Sequence, residues 1–221
     1  MIQLPLDLDV SYEVGPARFS TYERCTESRL EASRLYMWNL SLSARWWGPL
    51  SYLEVALRNA LHDALQYSVG QPKWWEDNSL NLSRPLEQKI RDAERYACRQ
   101  SKNQSPTVDD VVAASTFGLW TSVLHRDNAQ NLWRNHLSQE FNQVRRGVLF
   151  DNAIKLKNLR NRIAHHEPIF RDDHKLNLRR LELVLGAIHE DLPGLTRQWF
   201  PGLRSAIDGY NDAITDGYVD L

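Results

Sequence analysis

The residue types best suited to chemistry stand close together near position 160. Arg160, Asn161 and His165 fall within six residues. A guanidinium grips phosphate oxygens in two-pronged fashion and stays charged at physiological pH, whereas an imidazole exchanges protons near neutrality. Together they could serve metal-independent cleavage of RNA, which needs a base for the ribose 2′-OH, an acid for the leaving 5′-oxygen and positive charge on the transition state.

Helix geometry limits how these side chains can meet. Asn161 and His165 lie one turn apart and share a face, whereas Arg160 and His165 differ by roughly 140° around the axis. Arg160 must reach around the helix, or work with groups from another helix or subunit, and the sequence leaves both open. One imidazole cannot be base and acid in a single in-line step, so His166 or a second subunit's His165 is the natural second proton carrier.

The window around these residues is the most basic in the chain. Residues 155–166, KLKNLRNRIAHH, hold four Lys or Arg, two His and no acid. Lys155, Lys157 and Arg162 are therefore predicted to support RNA binding. The whole chain has 27 Lys+Arg and 28 Asp+Glu, so its nucleic-acid binding would have to be local. The competing interpretation is a solvated helix whose histidines complement its negative end.

A second cluster repeats the Arg-Asn-His theme. Glu54, Arg58 and His62 stand at i, i+4 and i+8, with Asn59 adjacent, so a helix would align the first three on one face. One interpretation is a supporting shell in which Glu54 pairs with Arg58 near the phosphate site. The other is an ordinary row of surface ion pairs, which is common and weakly stabilising.

The sequence shows no pattern typical of a metal or cofactor site. It contains no H-E-x-x-H or C-x-x-C motif, and four histidines lack ligand-like spacing: His125, His136, His174 and His189. We therefore expect no metal and no cofactor. The tryptophan pairs at 46–47 and 74–75 could stack unpaired bases, but core packing is favoured because tryptophan is usually largely buried.

Apolar residues recur every three or four positions, while period-two alternation is nearly absent, which predicts an all-α fold. The chain of 221 residues has the size of one domain, or at most of two very small ones, and it is assigned to a single domain over 1–221. Ser20 with Glu23 has the spacing of a capping box before a first helix, and Gly48-Pro49 is predicted to separate it from a second, leucine-striped helix ending before Gly70.

Later helices are predicted after a polar break at 102–106. The longest runs from about Ser138 to His166, with an interruption near Gly147, and closes before Pro168 because proline restrains the preceding residue. The histidine pair would then lie in its last turn. A further helix is predicted from about Asp173 to Glu190.

Two features bear on location. The chain has two cysteines, too few for a disulfide framework and consistent with a reducing cytoplasm. The start of the sequence lacks a basic segment followed by an apolar stretch, and no run of about eighteen uncharged apolar residues occurs. We therefore expect a cytoplasmic protein with no membrane partner.

Three segments carry a resemblance to a known family. LKNLRNRIAHHEPIF, residues 156–170, resembles the signature of the Abi-like (abortive infection) proteins of bacteria, related to AbiD and AbiF, within the HEPN superfamily, whose R-x4-6-H motif often begins Arg-Asn. GPLSYLEVALRNALHDAL, residues 48–65, resembles the family's E-x3-RN helix. Residues 115–120, STFGLW, resemble its central (S/T)FG turn. The blocks occur in family order over residues 48–170, with helical extensions on both sides.

The resemblance implies a HEPN-like helical bundle with additional short helices, a homodimer, and a metal-independent endoribonuclease. Arg160 and His165 match the family's catalytic positions, with Asn161 as the intervening polar residue. It further implies a toxin of a toxin-antitoxin or phage-defence system, held in check by a protein or small-RNA antitoxin. Some members carry a tyrosine two residues after the histidine, where this chain has Glu167. The alternative is a non-catalytic HEPN-like module that binds RNA or a protein.

Overall fold

The computed structural model describes residues 1–101, 105–141 and 144–219. It is 74% helical with almost no strand, which confirms the all-α prediction. The α-helices are α1 (Ser11–Val14), α2 (Pro16–Glu23), α3 (Arg29–Val69), α4 (Arg84–Gln100), α5 (Val108–Ala114), α6 (Phe117–Val123), α7 (Arg146–Ala164), α8 (His174–Ile188), α9 (Leu192–Trp199) and α10 (Gly202–Asp208). Turns of 3-10 helix cover Trp74–Glu76, Asn78–Leu80 and Arg126–Asn128, and π-helical segments cover Ala129–Leu137 and Asp212–Asp216. β1 (Ile2–Gln3) pairs antiparallel with β2 (Tyr218–Val219), with Ile2 opposite Val219.

The chain forms two compact units. The first unit consists of residues 1–50, 159–176 and 195–221, and the second unit consists of residues 51–158 and 177–194. The assignment of 1–221 to one domain stays a prediction. Each unit has its own buried side chains.

Helix α3 is continuous where the sequence predicts a break. Its buried residues recur every three or four positions: Leu35, Trp38, Leu42, Trp46, Leu50, Leu53, Leu57 and Leu61. The predicted boundary at Gly48-Pro49 is wrong, since Pro49 lies inside the helix. A proline there costs roughly 3 kcal/mol, but each fully buried leucine contributes roughly 1.5–3 kcal/mol. Burial on both sides of Pro49 therefore outweighs its cost.

Gly48 does not end a helix but allows close packing against α3. A Cβ atom built at this position would lie 2.5 Å from Cε1 of Phe200, in the segment between α9 and α10. Real Cβ atoms do not approach carbon so closely, because interiors are packed to van der Waals contact. Only glycine lets the Phe200 ring rest on the backbone of α3.

The predicted cap at Ser20 is also wrong. Ser20 lies inside α2, where its hydroxyl donates to the carbonyl oxygen of Ala17 at 3.0 Å. Helix α2 begins at Pro16, whose missing N–H costs nothing at a first helical position. The start of α3 is capped by Ser28, whose Oγ accepts from the backbone N–H of Glu31 at 3.2 Å.

Helix α7 is shorter than predicted. It begins at Arg146, whose guanidinium Nη1 donates to the carbonyl oxygen of Leu124 at 2.6 Å. Phe141 lies in a turn before it and packs against Trp133, with ring centroids 5.8 Å apart. Gly147 is the second residue of α7, and residues 144–145 just before the helix are not helical, so the predicted stretch is interrupted near Gly147 as expected. Parts of two predicted segments lie outside the described residues: 142–143 of the predicted helix and 102–104 of the predicted polar break.

Candidate functional site

Helix α7 ends in a left-handed turn that contains both candidate histidines. The backbone N–H of His166 donates to the carbonyl of Ile163 at 3.0 Å, and that of Glu167 donates to the carbonyl of Arg162 at 2.8 Å. His166 has a φ of 55°. This nested pair of bonds around a left-handed residue is the Schellman motif, in which the left-handed position is usually glycine. His166 therefore holds a conformation that side chains rarely adopt.

The turn places the two imidazoles beyond the helix rather than in its last turn. The last helical residue is Ala164, and Pro168 follows the motif, as is common where a helix must stop. The backbone N–H of His165 still bonds to the carbonyl of Asn161 at 3.0 Å, so His165 keeps helical register. Both histidine side chains are exposed.

Arg162 fastens this turn to the segment that follows. Its Nη1 lies 2.7 and 2.8 Å from the two carboxylate oxygens of Asp172, and its Nη2 donates to the carbonyl of Pro168. Its Nε lies 3.6 Å from Oε2 of Glu167. Arg162 was predicted to support RNA binding, but its guanidinium already binds Asp172, Glu167 and Pro168. Its structural effect is to position the residues of the histidine turn.

Arg160 lies half-buried against an exposed tryptophan. Its Cζ is 5.8 Å from the ring centroid of Trp47, and its Nη1 donates to Oδ1 of Asn161 at 3.3 Å. Trp47 is 45% exposed, so its ring remains open to solvent beside the guanidinium. An aromatic face next to a guanidinium can stack a base and grip a phosphate, the two contacts that single-stranded nucleic acids offer.

Trp47 departs from the core packing that the sequence favours for the tryptophan pairs. Core packing is confirmed for Trp46 and Trp74, both 0% exposed, and is wrong for Trp47. The position of Trp47 around the axis of α3 indicates its exposure. Trp46 lies on the leucine stripe of α3, and its neighbour must point about 100° away from that stripe.

Buried polar groups hold the segment after the histidine turn. Oδ1 of Asn39 accepts from the backbone N–H groups of Ile169 and Phe170 at 2.8 and 3.0 Å. Nδ1 of His174 accepts from the indole N–H of Trp46 at 3.0 Å, and its Nε2 lies 2.9 Å from the carbonyl of Ile169. Burial lowers the pKa of His174, which keeps it neutral and leaves Nε2–H as the donor.

The residues of the second cluster differ in burial and do not form one exposed row. His62 is 6% exposed, and its Nδ1 accepts from the indole N–H of Trp74 at 3.2 Å. Burial lowers its pKa, so His62 is a neutral histidine in the core of the second unit and is not placed to contact RNA. Steps of four residues advance about 40° each around the helix axis, which carries His62 into the apolar stripe of α3. Its predicted supporting role stays a prediction.

The other members of that cluster lie nearer the surface. Arg58 is half-buried and donates to Oδ1 of Asn59 at 3.4 Å and to the carbonyl of Ala113 at 3.5 Å. Glu54 is half-buried and Asn59 is exposed. All four residues of the cluster belong to the second unit, whereas Arg160, Asn161 and the histidine turn belong to the first.

The two lysines of the basic window also belong to the second unit. Lys155 is exposed, while Lys157 is half-buried. Burial, and then the positive charge of Lys89, lower the pKa of Lys157. Among the described residues, no group of three or more His, Cys, Asp or Glu side chains is arranged to hold a metal ion. No described helix is both long and apolar enough to cross a membrane.

Comparison with known proteins returned no match: no family model fits the chain, and no curated protein and no solved structure resembles it closely enough to be matched. What the chain does must therefore be inferred from its own side chains.

Proposed function

We propose that this chain is a metal-independent endoribonuclease of the Abi-like HEPN type. The observation that supports it is the guanidinium of Arg160 lying against the exposed ring of Trp47, on the helix that ends at the exposed His165. These groups offer a phosphate clamp, a stacking face and a proton carrier in one unit of the protein.

The chemistry follows from the roles of these groups. Neutral His165 takes the proton of the ribose 2′-OH, and that oxygen attacks the adjacent phosphorus. The bond from phosphorus to the 5′-oxygen breaks, and the leaving oxygen takes a proton from an imidazolium, either His166 or a second subunit's His165. Arg160 stabilises the charge on the phosphorane. The products are a 2′,3′-cyclic phosphate and a 5′-hydroxyl.

A homodimer is part of this proposal. Because Arg160 and His165 point roughly 140° apart on one helix, they reach the same phosphate most directly when two copies of the helix end face each other. Asn161 then orients Arg160 through their hydrogen bond, and Lys155 adds positive charge along α7. Pairing would also combine two basic windows in a protein whose net charge is −1.

The biological setting rests on the resemblance of residues 156–170. It makes the chain the toxin of a toxin-antitoxin or abortive-infection system in the cytoplasm, with RNA as substrate and a protein or small RNA as antitoxin. This chain has Glu167 where some members of the family carry a tyrosine. Its carboxylate faces Arg162, and its backbone N–H closes the histidine turn.

A nuclease assay on purified protein tests the activity. We expect single-stranded RNA to be cut in the presence of EDTA, and a 2′-deoxy substitution at the cut site to block cleavage. Arg160→Ala and His165→Ala should each lower the rate by at least about 100-fold. Trp47→Ala should weaken RNA binding, whereas Trp47→Phe keeps a stacking ring and should retain most of it.

The variants also need to stay folded, which thermal unfolding of each one checks. Cleavage that EDTA abolishes and magnesium restores would contradict the mechanism. An Arg160→Ala protein as active as the wild type would remove Arg160 from it.

The second candidate function is a non-catalytic module that binds RNA. The roughly 140° between Arg160 and His165 favours it, because a single copy then has a binding platform at Trp47 without a proton carrier beside it. Tight RNA binding by Trp47 and Arg160, with no cleavage by the wild-type protein at any concentration, would select this function over the nuclease.

A further inference from the structure

A groove in the second unit lies along helix α4. It is an open cavity of about 570 Å³ between α4 and the corner where α5 meets α6. Lys89, Tyr96 and Arg99 line it from α4, and Thr116 lines it from the opposite wall. Lys89 and Arg99 are ten residues apart, which separates them by about 15 Å along the helix axis. Tyr96 lies between them.

Tyr96 offers a stacking face in this groove. Its side chain is 48% exposed, so the ring is accessible within the groove. The guanidinium carbon of Arg99 lies 5.9 Å from the centroid of the Tyr96 ring. This is the same pairing of ring and guanidinium that Trp47 and Arg160 form in the first unit.

The groove has positive charge that the protein does not neutralise. Every acid of α4 already has a partner: Glu87 lies 3.6 Å from Arg91, Asp92 pairs with Arg95, and Glu94 accepts from the indole N–H of Trp75 at 3.0 Å. Within the described part of the chain, Lys89 and Arg99 form no ion pair. Asp92, the acid that lines the groove, is offset by Arg95.

Lys157 of α7 adds a second ammonium group near Lys89. It is half-buried, and the like charge of Lys89 disfavours its protonated form in addition to burial. Lys157 too has no ion-pair partner among residues 1–101, 105–141 and 144–219. These two like charges repel each other. Asp92 lies close enough to Lys89 for the lysine's charge to help lower the pKa of Asp92, but Asp92 is also paired with Arg95, and a bound phosphate would relieve the remaining repulsion.

We propose that this groove binds a single-stranded segment of RNA, with phosphates at Lys89 and Arg99 and a base against the ring of Tyr96. Unpaired bases expose the faces that stack on aromatic side chains, whereas a duplex hides them. The choice of RNA as ligand rests on the proposed function. The site itself rests on the ring, the cations and the cavity of the second unit.

The experiment measures binding of a short fluorescein-labelled single-stranded RNA to the full chain by fluorescence anisotropy. His165→Ala serves as the background so that the RNA stays intact. In that background, the Lys89→Gln/Arg99→Gln pair should weaken binding about tenfold at low salt. It should also reduce the slope of log affinity against log salt by about 1.4, because each phosphate contact to a single strand contributes about 0.7.

Tyr96 is tested by a matched pair of substitutions. Tyr96→Ala should weaken binding about tenfold, whereas Tyr96→Phe keeps the ring and should stay within about twofold of the parent. The charge control is Lys73→Gln/Arg126→Gln, which removes two positive charges from the same unit outside the groove lining. It should leave affinity within about twofold.

Two outcomes would overturn the proposal: groove variants that bind like the parent, or a charge control that loses as much affinity as the groove pair. The nuclease proposal is judged separately, by cleavage with the wild-type chain. If RNA binding depends on Tyr96 but the wild-type protein does not cut RNA, the groove proposal is supported and the nuclease proposal is contradicted. If the wild-type protein cuts RNA but the groove variants bind RNA like the parent, the nuclease proposal is supported and the groove proposal is contradicted.

Discussion

His165 and His166 are adjacent in sequence but differ in backbone conformation. His165 continues the hydrogen bonding of α7, whereas His166 takes the left-handed conformation that closes the helix. Strained backbone tends to persist where the surrounding structure fixes it, often at functional sites. Here Arg162 holds the turn in place by binding Asp172, Glu167 and the carbonyl of Pro168. The orientation of both imidazoles therefore depends on a guanidinium that takes no part in the proposed chemistry.

The left-handed turn allows the stability and the chemistry of His166 to be separated. His166→Gly removes the imidazole and the strain, so its free energy of unfolding should exceed that of His166→Ala by about 1 kcal/mol. Both should lose cleavage to the same extent if His166 is the proton donor. Urea unfolding and RNA cleavage of the two variants are the measurements. Full activity in both variants would assign the donor to His165 of a second subunit.

At the residue scale, the sequence indicates the candidate residues but not their contacts. The spacing of Arg160, Asn161 and His165 was visible, and the phase of α3 could have shown that Trp47 is exposed. Nothing local shows that Arg162 pairs with Asp172 or that His62 meets Trp74, because these contacts depend on how distant segments pack.

At the scale of elements, long apolar stripes were predictable and helix ends were less so. The periodicity of α3 and α8 predicted helices that the structure confirms. Local rules failed at Pro49, where burial along the whole stripe outweighs a proline, and at Ser20, which lies inside α2. Each failure is a case in which tertiary packing overrides a short-range preference.

The packing of Phe200 on α3 predicts opposite effects for two glycines. Gly48→Ala should lower the free energy of unfolding by about 1–3 kcal/mol, because the new methyl group overlaps the Phe200 ring. Gly147→Ala, in α7, meets open space and should leave stability unchanged or slightly raised. Urea unfolding of both variants tests the pair. Equal stability of Gly48→Ala and the wild type would show that Phe200 can move aside at no cost.

At the scale of the whole molecule, each unit contains one neutral, buried histidine. His174 lies in the first unit and His62 lies in the second. Burial lowers the pKa of each below its ordinary value of 6.5. Protonating either one in the folded state would put a charge where an indole N–H already donates to Nδ1. Both units should therefore respond to acid in the same direction.

This arrangement predicts a loss of stability at mildly acidic pH. Because the unfolded state binds these protons more readily, the stabilisation is complete above the unfolded pKa of about 6.5 and declines as pH falls toward the folded values. Urea midpoints measured between about pH 7.5 and 5 should decrease. Carboxylates such as Asp110, whose pKa is lowered by hydrogen bonds from Thr107, lose their contribution only below about pH 4. Midpoints that stay flat or rise over this range would contradict the prediction.

The first unit is assembled from three stretches of chain, and its two short strands join residues near 2 to residues near 219. On a ribosome, the second unit has all its segments once residue 194 has emerged, but the first must wait for the final α10 and β2. Trp47, Arg160 and the histidine turn belong to that later unit. A nascent chain thus acquires its candidate site only after β2 has emerged, by which time every segment of the second unit is already available.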